Sequence, residues 1–183
     1  MSASDFLQDL GLFEGLSREQ LDRIAAVCDE RRCEPGEVIF TEYARGDDMF
    51  FIKDGMLLVQ ISTQTHATEP PQAASERHTI ARLMAGQYVG EQAMVDDAVR
   101  SATVVSEGNS VLLSISRADI ERLCDEDPHL GYIFMRNIAQ ELSFKLRNTG
   151  LVMRGGLWSN ESHEPPADSG FGFDHPTEVE VDY

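Results

Sequence analysis

A chain of 183 residues, 42% of them hydrophobic, is long enough to bury one core and fits a single domain with some tail. Its formal charge of −17, from 15 Lys+Arg against 32 Asp+Glu, excludes the broad basic face that nucleic-acid binding needs, and it repels anions at long range. No run approaches the ~20 apolar residues of a membrane span, the N-terminus lacks the pattern of a secretory signal, and Cys28, Cys33 and Cys124 are too scattered for a disulfide framework, so the expected compartment is the cytoplasm.

The first thirty residues read as helices. Leu7, Leu10, Leu12 and Phe13 make an apolar start, and Ser17 to Gln20 has capping-box spacing ahead of Leu21, Ile24, Ala25 and Cys28. From about Glu30 the pattern turns to short β-type runs at 37–40, 49–52, 56–61, 78–83, 101–105 and 111–115. Turn chemistry separates most of them, as in "EPGE", "RGDD", "KDG", "MAG" and "EGN". Residues 62–76, rich in Pro, Ala and Thr, are expected to be an unstructured insertion between two strands. Helix returns at Ser116, and Asp127-Pro128 is an N-cap with proline in the first turn of a helix expected to run to about Asn148 and to end at Gly150. From Gly155 the tail holds seven acids and no Lys or Arg, the composition of a disordered segment, with Trp158, Phe171, Phe173 and Tyr183 as single anchors. The expected fold is α+β, a small antiparallel β-barrel or jelly roll flanked by N-terminal helices and two C-terminal helices.

The segment "GEQAMVDDAVRSATV", Gly90 to Val104, carries the chemistry. Gly90 lets the chain turn tightly, and a helical turn over "EQAMV" (Glu91, Gln92, Ala93, Met94, Val95) can present backbone N–H groups to a phosphate. Glu91 can accept a hydrogen bond from a ribose hydroxyl. Arg100, nine residues on, can fork onto phosphate oxygens, and Ser101 adds a hydroxyl donor. A sugar acceptor, a phosphate cradle and one fixed cation are what a cyclic nucleotide requires.

On these residues the segment resembles the phosphate-binding cassette of the cyclic nucleotide-binding domain family, found in catabolite-activator-type proteins, cyclic-nucleotide-dependent kinases and gated channels. Gly90, Glu91, Ala93, Arg100, Ala102, Thr103 and Val104 stand in register with its pattern, and Gly46, Asp47 and Gly55 match its upstream strand–loop–strand segment. The resemblance covers about residues 6 to 149. Gln92 stands where the family has an apolar residue, Val99 replaces a proline, Tyr43 replaces a glycine, and Asp96 and Asp97 lie close enough to Arg100 in sequence to oppose an anion. The resemblance implies a sensor domain over residues 1–149 with an acidic tail over 150–183. It implies a bacterial-type, non-enzymatic regulatory module whose ligand is cyclic AMP ahead of cyclic GMP, bound by Gly90, Glu91, Gln92, Ala93, Arg100 and Ser101, with no further cofactor. The helix around Phe134 to Leu146, or residues 151–158, is the candidate lid. The alternative is an adaptor or assembly subunit in which Glu91 and Arg100 pair with each other in an empty cassette.

Other chemistries find little support. His66, His78, His129, His163 and His175 lack metal-ligand spacing, and three cysteines cannot supply a four-cysteine cluster. Asp47-Asp48 and Asp96-Asp97 sit in turns with no partnered nucleophile. Residues 149–183 are too few and too acidic for the DNA-reading head of catabolite-activator-type members, so output through an effector protein, with the tail as its contact, is expected. Met135, Ala139, Leu142 and Leu146 form a short stripe on helix 128–148 that predicts a homodimer, and Leu130, Ile133, Phe134 and Ile138 form the face turned to the domain.

Overall fold

The computed structural model describes residues 2–62 and 77–158, with side chains described as far as Arg147. Two short helices come first, α1 (Ala3–Gln8) and α2 (Arg18–Ala25), joined by a 3-10 turn at Gly11–Phe13. Ser17 and Gln20 cap α2 reciprocally, as the spacing predicts, and Ser2 with Asp5 does the same for α1. Eight strands follow: β1 (Asp29–Cys33), β2 (Val38–Phe40), β3 (Asp48–Asp54), β4 (Met56–Ser62), β5 (Arg77–Met84), β6 (Tyr88–Val89), β7 (Thr103–Ser106) and β8 (Ser110–Ser116). They form two antiparallel sheets, ordered β1-β8-β3-β6 and β2-β7-β4-β5. The expected jelly roll is there as a sandwich of two sheets that are not closed into a barrel.

The apolar runs explain the layering. Along β3, Phe50 and Ile52 lie between the sheets, in one cluster with Cys33 and Leu112 of their own sheet and Ile39, Leu57 and Val104 of the other. The alternate residues Met49 and Phe51 face the other way, into a helical layer with Leu7, Phe13, Ile24, Leu123 and Phe134. A strand buried on both faces reads as a continuous hydrophobic run, which is how "MFFI" reads. Each such side chain contributes roughly 1.5–3 kcal/mol on full burial.

Ser116 caps α3 (Arg117–Glu126) by accepting from the Asp119 N–H, and Asp127 caps α4 (Pro128–Trp158) by accepting from the Leu130 N–H at 3.1 Å. Leu130, Ile133, Phe134 and Ile138 are buried, as the helical spacing predicts. Asn137 pins α4 to the N-terminal turn, donating to the carbonyls of Leu12 at 2.8 Å and Glu14 at 2.9 Å.

Three expectations need correction. The helix does not end at Gly150, because α4 continues to Trp158. An interior glycine costs only about 1 kcal/mol relative to alanine and is no stop by itself, and no proline follows until Pro165. Leu142, placed by the sequence on the outer stripe, is half-buried against the core one helical turn after Ile138. Two strands escaped the reading: β1, "DERRC", has Cys33 as its one buried residue, and β6 is two residues long. The insertion from 63 to 76 and the tail from 159 lie outside the described residues, and so do the anchors Phe171, Phe173 and Tyr183. By its contacts the chain divides after Ser143, and the second unit opens on the later turns of α4.

Candidate functional site

Gly90 leaves β6 at φ +86°, the left-handed region that favours glycine, and the chain enters a 3-10 turn over Glu91–Met94. The predicted turn is therefore real. Ala93 and Met94 anchor it in the core beneath, and the Ala93 N–H donates to the Gly90 carbonyl. Glu91 is buried, while Gln92, which stands where an apolar residue is usual, is exposed. Ser101 is exposed beside Arg100.

Arg100 is 7% exposed and is held from several directions. Its N–H donates to the Ala44 carbonyl and its carbonyl accepts from the Tyr43 N–H, both at 2.9 Å. Its guanidinium lies over the Phe40 ring, 4.3 Å from the centroid, and Nη2 donates to the Asp48 carbonyl at 2.8 Å. Nε and Nη1 are buried and have no hydrogen-bond partner. Burial pushes this guanidinium below its ordinary pKa, and the Asp48, Asp47 and Glu91 carboxylates pull the other way. An arginine remains charged under such opposing influences. Asp48 itself is raised, first by burial and then by neighbouring Asp47, with Arg100 opposing.

Two glycines leave room for that guanidinium. A Cβ on Gly46 would stand 2.8 Å from Nη2 and 3.0 Å from Nε, and one on Gly90 would stand 2.8 Å from Nη1 and 2.9 Å from the Asp48 carbonyl. Two buried charged donors without acceptors are costly unless something supplies the acceptors. An anion with several oxygens, presented from the side of the Gly90 turn, meets that requirement.

This arrangement matches a known domain: the model of the cyclic nucleotide-binding domain matches residues 30–127. The chain belongs to the cyclic nucleotide-binding domain family. It is 29% identical over 136 residues to a cGMP-dependent protein kinase of Eimeria tenella, covering 74% of this chain and 12% of the kinase. It is 30% identical over 140 residues to glutaminase 1 of Bradyrhizobium diazoefficiens, covering 76% of this chain and 21% of that protein. The chain thus spans about a fifth or less of the length of these relatives. A cyclic nucleotide-binding domain from Methylobacillus flagellatus shares the fold, with a TM-score of 0.66 at 22% identity over 80% of this chain and 78% of that one.

Two of the departures from the family pattern, Tyr43 and the Asp96-Asp97 pair, have physical explanations. Tyr43 adopts φ +65°, so the position calls for the left-handed backbone that a glycine supplies without strain. Asp97 does not oppose an anion at Arg100, because its carboxylate pairs with Arg117, and Asp96 accepts from the Ala98 N–H at 3.1 Å. Sequence reasoning missed Phe40, whose ring lies under the guanidinium, because an aromatic residue in a strand reads as core. It also missed Arg117, which looks like any surface arginine after a cap. Tyr88, just before the turn, is half-buried, packs on Phe51 and shares a hydrogen bond with Glu141 of α4. Burial, followed by the charges of Glu141 and Glu91, raises its phenol.

The remaining chemistry is sparse. Burial pushes the Cys28 thiol up to about 12, and burial likewise raises Cys33 and Cys124. Among the described residues no His/Cys/Asp/Glu group could hold a metal ion, and no helix is long and apolar enough to cross a membrane. An open cleft of about 390 Å³ between Gly15, Arg23, Asp127 and His129 lies away from the cassette, and Asp127 there accepts from Gln20 at 2.8 Å and pairs with Arg23.

Proposed function

We propose that this chain is a non-enzymatic sensor module that binds a 3′,5′-cyclic purine nucleotide, cyclic AMP ahead of cyclic GMP, and reports through a protein partner. The observation that carries the reading is Arg100, a buried cation with two unpaired donors between two glycines. Arg100 and the Glu91–Met94 turn take the cyclic phosphate, Glu91 takes the ribose hydroxyl, and Ser101 stands at the mouth. In an empty cassette closed by a Glu91–Arg100 pair, the guanidinium would be satisfied from within. Here neither Nε nor Nη1 has a hydrogen-bond partner.

The output is proposed to lie outside the nucleotide site. Tyr132 at 64% and Met135 at 40% exposure, with exposed Ala139, make an apolar stripe on the outer face of α4, a surface suited to a second copy of the chain. The acidic tail is the proposed contact for an effector protein. From Gly155 on the tail has no Lys or Arg, so it would repel nucleic acid.

Calorimetric titration of the purified chain with cyclic AMP, cyclic GMP and, as control, 5′-AMP tests the reading. One-site binding of a cyclic nucleotide with much weaker binding of 5′-AMP is expected. Absence of binding for both cyclic nucleotides would move the chain to the adaptor class. Light scattering with Met135→Glu as control tests the dimer, which a monomeric wild type would rule out.

A further inference from the structure

Arg117 opens α3 directly after the Ser116 cap, and its bonds converge on the cradle from behind. Its backbone N–H donates to the Asp47 carbonyl at 2.9 Å. Asp47 lies between Gly46, which abuts the Arg100 guanidinium, and Asp48, whose carbonyl accepts from it. This loop is one wall of the cradle.

The side chain of Arg117 reaches the other wall. Nε donates to the Ala93 carbonyl at the end of the 3-10 turn, Nη2 donates to the Asp96 carbonyl, and Nη1 pairs with the Asp97 carboxylate. The Arg117 side chain is 18% exposed and that of Asp97 is 94% exposed. An exposed acid whose partner is a sheltered arginine contributes little as a surface pair. Here it is the third contact of a grip whose other two are the Ala93 and Asp96 carbonyls.

We propose that Arg117 is a positioning residue for the cyclic nucleotide site: it sets the spacing of the Gly46–Asp48 wall and the Glu91–Asp97 wall around Arg100, and it makes α3 follow the cassette. The proposal rests on the function proposed above. Arg117 touches no ligand atom in this scheme, and its effect passes through the carbonyls and the carboxylate it holds. Asp97 thereby serves the site as the outer anchor of the grip.

The test uses the full chain with Arg117→Ala, Arg117→Lys and Asp97→Asn. Three quantities are measured: affinity for cyclic AMP and cyclic GMP, thermal melting, and amide hydrogen exchange of the ligand-free proteins. Arg117→Ala is expected to speed exchange over residues 45–48 and 91–98 while β3 and β8 stay protected. It is also expected to weaken the cyclic nucleotide about tenfold, as loosened walls misalign about one charge-assisted hydrogen bond between Arg100 and the phosphate. Arg117→Lys, which can still pair with Asp97 but lacks the planar fork that spans the separated carbonyls of Ala93 and Asp96, should fall between. Asp97→Asn should shift affinity and exchange in the same direction by less, with melting unchanged. A lowered melting temperature with unchanged affinity and exchange well below it would make Arg117 merely structural and overturn the proposal. So would wild-type affinity and exchange in both Arg117→Ala and Asp97→Asn. If the wild type binds neither nucleotide, the proposed function fails, and exchange alone decides. Faster exchange confined to the two walls retains the grip, and any other pattern removes it.

Discussion

A single methyl group at Gly46 probes the cradle most selectively. The three atoms nearest the Cβ of Gly46→Ala would all belong to Arg100: Nη2 at 2.8 Å, Nε at 3.0 Å and Cζ at 3.3 Å. Those distances are too short to persist, so the guanidinium must move. Its plane is bounded by the Phe40 ring and its Nη2 is tied to the Asp48 carbonyl, so a shift breaks that bond and turns the two unpaired donors away from the ligand. A charged hydrogen bond contributes roughly 1.5–3 kcal/mol, and 1.4 kcal/mol is a factor of ten, so cyclic nucleotide affinity should fall about 10- to 100-fold. Stability should change little, because the displaced group is the end of a flexible side chain. Gly90→Ala is the contrast. It adds strain of about 1–2 kcal/mol at φ +86° and a 2.9 Å approach to the Asp48 carbonyl, so it should lower both melting temperature and affinity. Calorimetric titration and thermal denaturation of the two variants provide the assay. Gly46→Ala binding with wild-type affinity would refute the placement of the ligand against this face of Arg100.

Glu91→Gln should weaken binding of the ribose nucleotide and have little effect on its 2′-deoxy analogue; equal losses, read by titration, would remove the ribose role. Asn137→Ala leaves the Leu12 and Glu14 carbonyls without their donor, so chemical denaturation should show a loss of roughly 1–3 kcal/mol, and an unchanged midpoint would contradict the pinning of α4. Asp127 is held below the usual carboxylate range, first by its hydrogen bond from Gln20 and then by the Leu130 N–H. A lowered folded value means the stabilisation is full above the unfolded value of about 3.9 and is lost as pH falls through the folded one. The melting difference between wild type and Asp127→Asn should therefore be full at neutral pH and close below about pH 4; a gap that widens on acidification would reverse the assignment.

The helical caps were legible because Ser17-x-x-Gln20, Ser116 and Asp127-Pro128 are local signals that the backbone obeys directly. The six apolar strands were legible for the same reason. Strand β1 was not, since its place comes from pairing with β8, and four of its five side chains are charged. The Gly90 turn and Arg100 were legible as types at a spacing. What the sequence could not display was the convergence: Phe40, the Gly46–Asp48 loop and Arg117 reach Arg100 or its turn from three separate segments. The neighbourhood of Asp96 and Asp97 misled for the opposite reason. Closeness along the chain implied repulsion of an anion, whereas α3 supplies Asp97 with its own arginine.

The unpaired donors of Arg100 are proposed to await a cyclic phosphate, and a comparison of wild type with Arg100→Ala for cyclic nucleotide affinity and thermal melting together tests this most directly. A buried cation with two unsatisfied donors is a burden on the fold, so its removal should leave the melting temperature unchanged or raise it. The same change should weaken the cyclic nucleotide by about 100-fold or more, the loss of at least one charged and desolvated phosphate contact. A variant that melts earlier and binds as tightly as wild type would make Arg100 a structural cation and contradict the account.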